Sequence, residues 1–165
     1  MVRDDRIRTL VDANAADLLG YLSRRVTPRE DAADLLGETL LTAWRRRRDL
    51  PDEPENARMW LYGVARRVLA NHRRGVRRRR ALADRLGVEV AGFVATHPDP
   101  AEGQEVRDAV AALPEELREL VMLVHWDGFG VGEAADLLEL NASTARTRYQ
   151  RARQLLAEAL APVVS

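Results

Sequence analysis

The sequence predicts an all-α protein of two small helical domains, joined by a flexible linker. Three observations carry that expectation. Leucine and alanine dominate while aromatic residues make up only 5% of the chain, a composition that favours helix. Apolar positions recur at i, i+3 and i+4 in segment after segment. Between two such helical groups lies LGVEVAGFVATHPD, residues 86–99, with little amphipathic period, two glycines and a proline. A chain of 165 residues has room for one medium domain or two small ones.

Composition also excludes chemistry. The absence of cysteine removes disulfides, thiol nucleophiles and thiolate zinc sites. No apolar run approaches the ~20 residues of a membrane span, and the N-terminus lacks the apolar core of a signal peptide. The expectation is therefore an intracellular, soluble protein. The formal net charge of zero hides a strong segregation. Residues 42–85 hold 14 arginines against 5 acids, residues 86–139 hold 2 against 12, and residues 140–165 return to 4 against 1. Two basic blocks separated by an acidic one predict two patches that meet a polyanion.

In chain order, residues 6–25 carry Leu10, Val11, Ala15, Leu18, Leu19 and Leu22 on one helix face. Thr27-Pro28 then predicts an N-cap followed by proline at the first helical position. The helix it opens, residues 28–47, is expected to bury Ala33, Leu36, Leu40, Ala43 and Trp44. Asp31, Asp34 and Glu38 fall at i, i+3 and i+7 on one face. The helix dipole accounts for Asp31 but less well for Glu38, so the stripe is a candidate contact for a basic partner. Gly37 sits mid-helix at a cost of about 1 kcal/mol against alanine, which close approach of a partner helix would justify.

A polar, proline-bounded loop, residues 48–56, precedes a helix expected over residues 57–74. Its core face is Leu61, Val64, Ala65, Val68 and Leu69. Beside that face Trp60, Gly63, Arg67, Asn71 and Arg74 share a narrow arc at 100° per residue. An aromatic ring, an amide and arginines in line suit a nucleic-acid strand, through stacking and phosphate neutralisation together. The other reading of Trp60 is packing at the core edge, the more frequent place for a tryptophan. The run from His72 to Arg80 is too densely charged for a solvated face without a polyanion to relieve it. After the linker, residues 100–113 and 114–126 predict two more helices, seamed by Val106, Val110 and Leu113 and by Leu117, Leu120, Val121 and Val124.

Residues 127–153, DGFGVGEAADLLELNASTARTRYQRAR, predict two short helices joined by a tight turn. Ala134, Leu137 and Leu138 seam the first, and Asn141 is a good N-cap for the second. Ala145, Tyr149, Ala152 and Leu156 make the second helix's buried seam, leaving Ser143, Thr144, Thr147, Gln150 and Arg151 facing away, with Arg146 and Arg153 on one flank and Arg148 on the other. Small polar residues near the tip and arginines farther along suit a helix that enters the DNA major groove by its N-terminal end. A charged surface helix ending an ordinary bundle would show part of the same pattern. No enzyme chemistry is indicated: His72, His97 and His125 are scattered, and phosphate-loop, GxSxG and HExxH motifs are missing. No catalytic residue, metal or cofactor is expected.

Taken together, these residues resemble a known family. DAADLLGETLLTAW, residues 31–44, is similar to region 2.2 of the extracytoplasmic-function (ECF) sigma factors of the sigma-70 family. WLYGVARRVLANHRR, residues 60–74, resembles regions 2.3–2.4; LPEELREL, residues 113–120, and residues 127–153 resemble regions 4.1 and 4.2. The four motifs stand in the family's order. The resemblance implies sigma region 2 in residues 1–85, a linker in 86–99 and sigma region 4 in 100–165. It implies a factor that binds core RNA polymerase, through the β′ clamp helices and the β flap, and directs it to promoters with −10 and −35 elements. Asp31, Asp34, Leu35, Glu38 and Thr39 fall where the family docks on the polymerase. The loop from Arg48 to Asn56 matches the segment that captures a base flipped from the melted −10 element, where a base edge becomes fully readable. Arg58, Trp60, Arg67, Asn71, Arg73 and Arg74 match the helix lining that strand, and Ser143, Thr144, Arg146, Thr147, Arg148 and Arg151 the helix that reads the −35 duplex. An anti-sigma partner and a cytoplasmic location are also implied.

The chain departs from the family pattern at several points. Ala33 and Gly37 stand where glutamate and glutamine are usual, Arg67 where asparagine is frequent, Asn71 where an acid is common, and Gly130 where a serine or threonine cap is usual. On the residues alone, a stand-alone DNA-binding regulator, an α-helical adaptor and an unrecognised hydrolase stay open as alternatives. The regulator leaves residues 31–44 and the block from His72 to Arg80 unexplained.

Overall fold

The computed structural model describes residues 1–87 and 103–162, and the chain divides into two compact units, Met1–Ala95 and Thr96–Ser165. Every long element among the described residues is an α-helix. In the first unit α1 (Val2–Ser23), α2 (Asp31–Arg45) and α3 (Pro54–Leu86) pack mutually, with a short 3-10 turn, Arg47–Asp49, between the last two. Leu18, Leu22, Leu61 and Ala65 are fully buried at the centre of this bundle, each leucine contributing roughly 1.5–3 kcal/mol by leaving water.

Three differences from the sequence-based expectations have physical causes. α2 begins at Asp31 rather than Pro28, because residues 28–30 form a tight turn in which the Asp31 N–H donates to the Pro28 carbonyl. The buried seam of α2 is Ala32, Leu35, Thr39 and Ala43, turned from the expected one, with Ala33 exposed and Leu36, Leu40 and Trp44 half-buried. Thr39 can lie inside because its hydroxyl donates to the Leu35 carbonyl at 2.7 Å, so no polar group is left bare. Third, α3 is far longer than residues 57–74. Glu53 caps it in extended conformation with Pro54 in its first turn. The arginine block is itself good helix former, and the helix stops only at Gly87, whose left-handed φ of 66° provides the exit.

Buried arginine is a feature that the apolar pattern does not announce. Arg25 is inaccessible; its guanidinium stands 3.8 Å from the Tyr21 ring and donates to the Tyr21 carbonyl at 2.9 Å. Tyr21 in turn meets Tyr62 edge-on at 5.3 Å, and Arg58 covers Tyr62 at 4.8 Å. Alternating cations and rings thus tie α1 to α3.

The second unit holds α4 (Gln104–Ala111), α5 (Glu115–His125), α6 (Val131–Leu137) and α7 (Ala142–Ala159). Val110, Leu113, Leu117, Val121, Met122 and Ala152 form its core, with Val106, Trp126, Leu155 and Leu156 packed against it. Residues 88–99 of the expected linker, and the expected helix start at Pro100, lie outside the described residues. No helix among the described residues is long and apolar enough to cross a membrane.

Candidate polymerase and nucleic-acid interfaces

On α2, Asp34 and Glu38 are exposed and Asp31 is half-buried, so the acidic stripe faces outward as its spacing requires. Leu35 and Thr39 do not join it. They are 5% and 0% exposed, inside the bundle, and the expectation that they touch a partner is corrected on that ground. The same outward face carries a residue that the sequence reading passed over, Leu41, which is 49% exposed. Its signal was an apolar residue lying off the helix's own seam. Gly37 opens the same face: a methyl group added there meets nothing within 4 Å among the described residues, so none of them needs glycine at that position.

The loop between α2 and α3 is anchored from α1. Arg6 donates to the carbonyls of Pro51 and Asp52 at 2.6 and 3.1 Å and to Asp52 Oδ1 at 3.0 Å. Arg3 donates to the Arg48 carbonyl at 3.2 Å. Arg47 donates to Asp4 Oδ1 at 2.6 Å while its guanidinium lies 4.6 Å from the Trp44 ring. The hydrogen bond from Arg47, aided by its charge, holds the Asp4 carboxyl below the usual carboxylate range. From within, Leu50 plugs the loop into the core at 6% exposure. Between α1 and the loop lies a groove of about 560 Å³, with Leu10, Ala13, Leu50 and Ala57 along it and Thr9, Asn14, Asp52 and Arg58 as polar groups. Arg48 and Asn56 are exposed on either side of the loop's prolines.

Along α3 the expected line is only part of the set. Arg67, Asn71 and Arg74 are exposed and Trp60 is half-buried on that line, and Arg74 donates to the Asn71 side-chain oxygen, fixing the amide. The Trp60 indole nitrogen is buried with no hydrogen-bond partner among the described residues, so the ring packs at the core edge. Arg58 and Arg73 lie off the line. Arg58 covers Tyr62, and Arg73 turns inward to the Arg25 carbonyl at 3.4 Å.

In the second unit, Asn141 caps α7, its side chain accepting from the Thr144 N–H at 2.8 Å. Ala145 and Ala152 are fully buried, which turns Ser143, Arg146, Thr147 and Arg151 outward, with Thr144 half-buried. Tyr149 is held against α5 by His125, 3.1 Å from its hydroxyl. Arg148 differs from its neighbours: it is half-buried and pairs with Glu116 of α5 at 3.5 Å. Gln150 and Arg153 are exposed beside the outward group, where helical spacing puts them. At α6, Gly130 has no side chain to cap with, yet its N–H donates to Glu133 Oε1 at 3.0 Å, half of a capping box.

Two family profiles match this chain: sigma-70 region 2 over residues 10–80 and sigma-70, region 4, over residues 103–156. The ECF RNA polymerase sigma factor SigF of Caulobacter vibrioides is 33% identical over 145 residues, covering 86% of this chain and 78% of that one. The ECF RNA polymerase sigma factor SigL of Mycobacterium tuberculosis is 28% identical over 152 residues, covering 91% and 86%. Among solved structures, the sigma factor RpoE of Bartonella quintana, in complex with the anti-sigma factor NepR, superposes with a TM-score of 0.66 at 27% identity over 95% of each chain. The chain therefore belongs to the ECF sigma factors of the sigma-70 family, regulators that bind RNA polymerase and direct promoter-specific initiation of transcription.

Proposed function

We propose that the two units divide the promoter between them while one face of the first unit holds the polymerase. Asp31, Asp34 and Glu38, with Leu41 at their side, dock on basic residues of the core enzyme's β′ clamp helices. Gly37 leaves the space for that close approach. The loop with Arg48 and Asn56 takes a base flipped from the −10 element, and Trp60, Arg67, Asn71 and Arg74 track the melted strand. Arg58 and Arg73 act behind that line, supporting the bundle. Ser143, Thr144, Arg146, Thr147 and Arg151 read the −35 duplex in the major groove, with Gln150 added, while the β flap carries the second unit. Arg148 supports α7 through Glu116 and contributes less to the DNA.

The observation that carries this reading is the pair of opposite surfaces on one small bundle. An acidic face on α2 suits a basic protein surface and a basic line on α3 suits a polyanion, so the two favour different partners. A stand-alone regulator needs only the second unit. The chemistry of initiation is left to the polymerase; this chain supplies binding and selection, needs no cofactor and works in the cytoplasm. RpoE of Bartonella quintana was solved with an anti-sigma factor, and by likeness an anti-sigma partner is proposed here as well.

The test is run-off transcription by core polymerase with this protein added. Transcripts that vanish when either the −10 or the −35 element is scrambled fit the reading. Binding to duplex DNA in the absence of polymerase, with no transcripts, would assign the chain to the regulators. Arg146→Ala should weaken −35-dependent initiation by about 1–3 kcal/mol if its contact is bidentate to a base, and Arg148→Ala by clearly less. Equal losses would remove the distinction drawn between them.

A further inference from the structure

The segment that holds the −10 loop lies ahead of the family match, which begins at residue 10. Arg3, Asp4 and Arg6 are all in the first turns of α1, and each reaches about 45 residues along the chain to the stretch from Arg47 to Asp52. Arg6 makes the densest set of these contacts, two to backbone carbonyls and one to the Asp52 carboxylate. Its own backbone is fixed because the next residue, Ile7, is 1% exposed in the bundle. Beyond these the loop is held by Leu50, by the 3-10 turn and by Arg46, which donates to Asp49 Oδ2 at 3.2 Å; its other residues from Arg48 to Glu53 are exposed or half-buried, and Pro51 has no N–H to donate.

We propose that Arg6 is a positioning residue for −10 selectivity, fixing the loop's shape so that it accepts some bases of the melted strand and rejects others. The proposal rests on the reading of residues 48–56 as the base-taking loop. A loop already ordered loses little conformational freedom when a base enters, and it cannot shift to welcome a base that fits badly. Arg6 also offsets the charge of Asp52, which is 93% exposed, and so keeps an acid on the loop from repelling the strand. The groove between α1 and the loop owes one wall to this contact, since Arg6 and Asp52 both line it.

Two measurements on Arg6→Ala test the proposal together. Hydrogen exchange of the free protein reads the loop without DNA. The Asp49 and Leu50 amides, which donate to the Arg46 and Arg47 carbonyls, should exchange on the order of 10-fold faster in the variant, as befits the loss of charge-assisted hydrogen bonds. Amides of α5 and α7 should stay unchanged. Transcription by holoenzyme from templates with a randomised −10 region, built on a promoter that the wild type selects from a random pool, reads selectivity. The variant's preference among −10 bases should flatten by about 10-fold, the discrimination carried by one or two good polar contacts, while its co-elution with core polymerase and its dependence on the −35 element persist. Arg6→Lys, which keeps the charge and the stem but not the planar fork, should fall between the two; it also serves if the alanine variant loses helix content. Unchanged exchange, or faster exchange with the −10 preference intact, overturns the proposal. If the wild type itself shows no −10 preference, the reading of the loop falls, and the positioning role with it.

Discussion

Two connections in this molecule each lead into a helix proposed to meet nucleic acid, and they are held in opposite ways. The turn between α6 and α7 is restrained by its immediate neighbours. Leu140 N–H donates to the Ala135 carbonyl, Glu139 N–H to that of Asp136, and Asn141 caps the helix it begins. The loop between α2 and α3 is restrained from afar, by Arg3, Asp4 and Arg6 of α1 and by Leu50 in the core. A short-range restraint forms with the helices themselves and suits the proposed reader of a rigid duplex. A long-range one exists only once the bundle is assembled, and it couples the loop's shape to the packing of α1.

The difference can be broken from either side. The largest effect is expected from Leu50→Ala. Emptying a buried leucine site costs about 2–5 kcal/mol, and the loss should appear in the thermal unfolding of the first unit alone, with its hydrogen exchange raised throughout. A transition of the second unit that moved equally would show that the two are not independent. Asn141→Ala acts on the local side, removing the cap of α7 at a cost of about 1 kcal/mol. Circular dichroism melts should register it in the second unit and leave the loop amides untouched.

Glu139→Gly is a smaller probe. Glu139 holds a left-handed φ of 57°, which costs a residue with a side chain roughly 1–2 kcal/mol. Glycine relieves that but has more freedom to lose on folding. A net stabilisation of up to about 1 kcal/mol is expected in denaturant titration, and a loss would show that the Glu139 side chain supports the turn.

The smallest effect concerns pH. The Asp4 carboxyl is held below its ordinary range by Arg47, so its contribution is complete above the unfolded value of about 3.9 and is lost as pH falls through the depressed one. Loop exchange, corrected for the intrinsic pH dependence of amide exchange, should therefore be flat from pH 7 to 5 and rise only in stronger acid. Asp4→Asn should reduce that rise, leaving the share of the Arg6–Asp52 and Arg46–Asp49 pairs. A rise between pH 7 and 5 would contradict the pairing.

The same contrast explains what could be seen in the sequence. The turn and its cap at Asn141 are legible because those interactions fall within a few residues, and the seam of Ala145 and Ala152 because helical spacing gives it. So is the outward line of Asp34 and Glu38, and that of Arg67, Asn71 and Arg74, since helical spacing alone decides them. Thr39 was misplaced because a hydroxyl satisfied by its own helix packs like an apolar group. Arg58, Arg73 and Arg148 were grouped with DNA-facing arginines because charge does not reveal which of them a tyrosine, a carbonyl or a glutamate already holds. The grip of Arg6 on Pro51 and Asp52 was invisible for a simpler reason. Nothing near either partner in sequence marks the other.

On the proposed reading, one bundle turns an acidic face to the polymerase and a basic line to the DNA. Co-elution with core RNA polymerase tests it most directly, comparing the wild type with a variant carrying both Asp34→Arg and Glu38→Arg. The wild type is expected to travel with the core enzyme and the variant, unchanged in helix content, to lose it, with affinity reduced by about 100-fold or more through like-charge contact. Equal co-elution of the two proteins would contradict it.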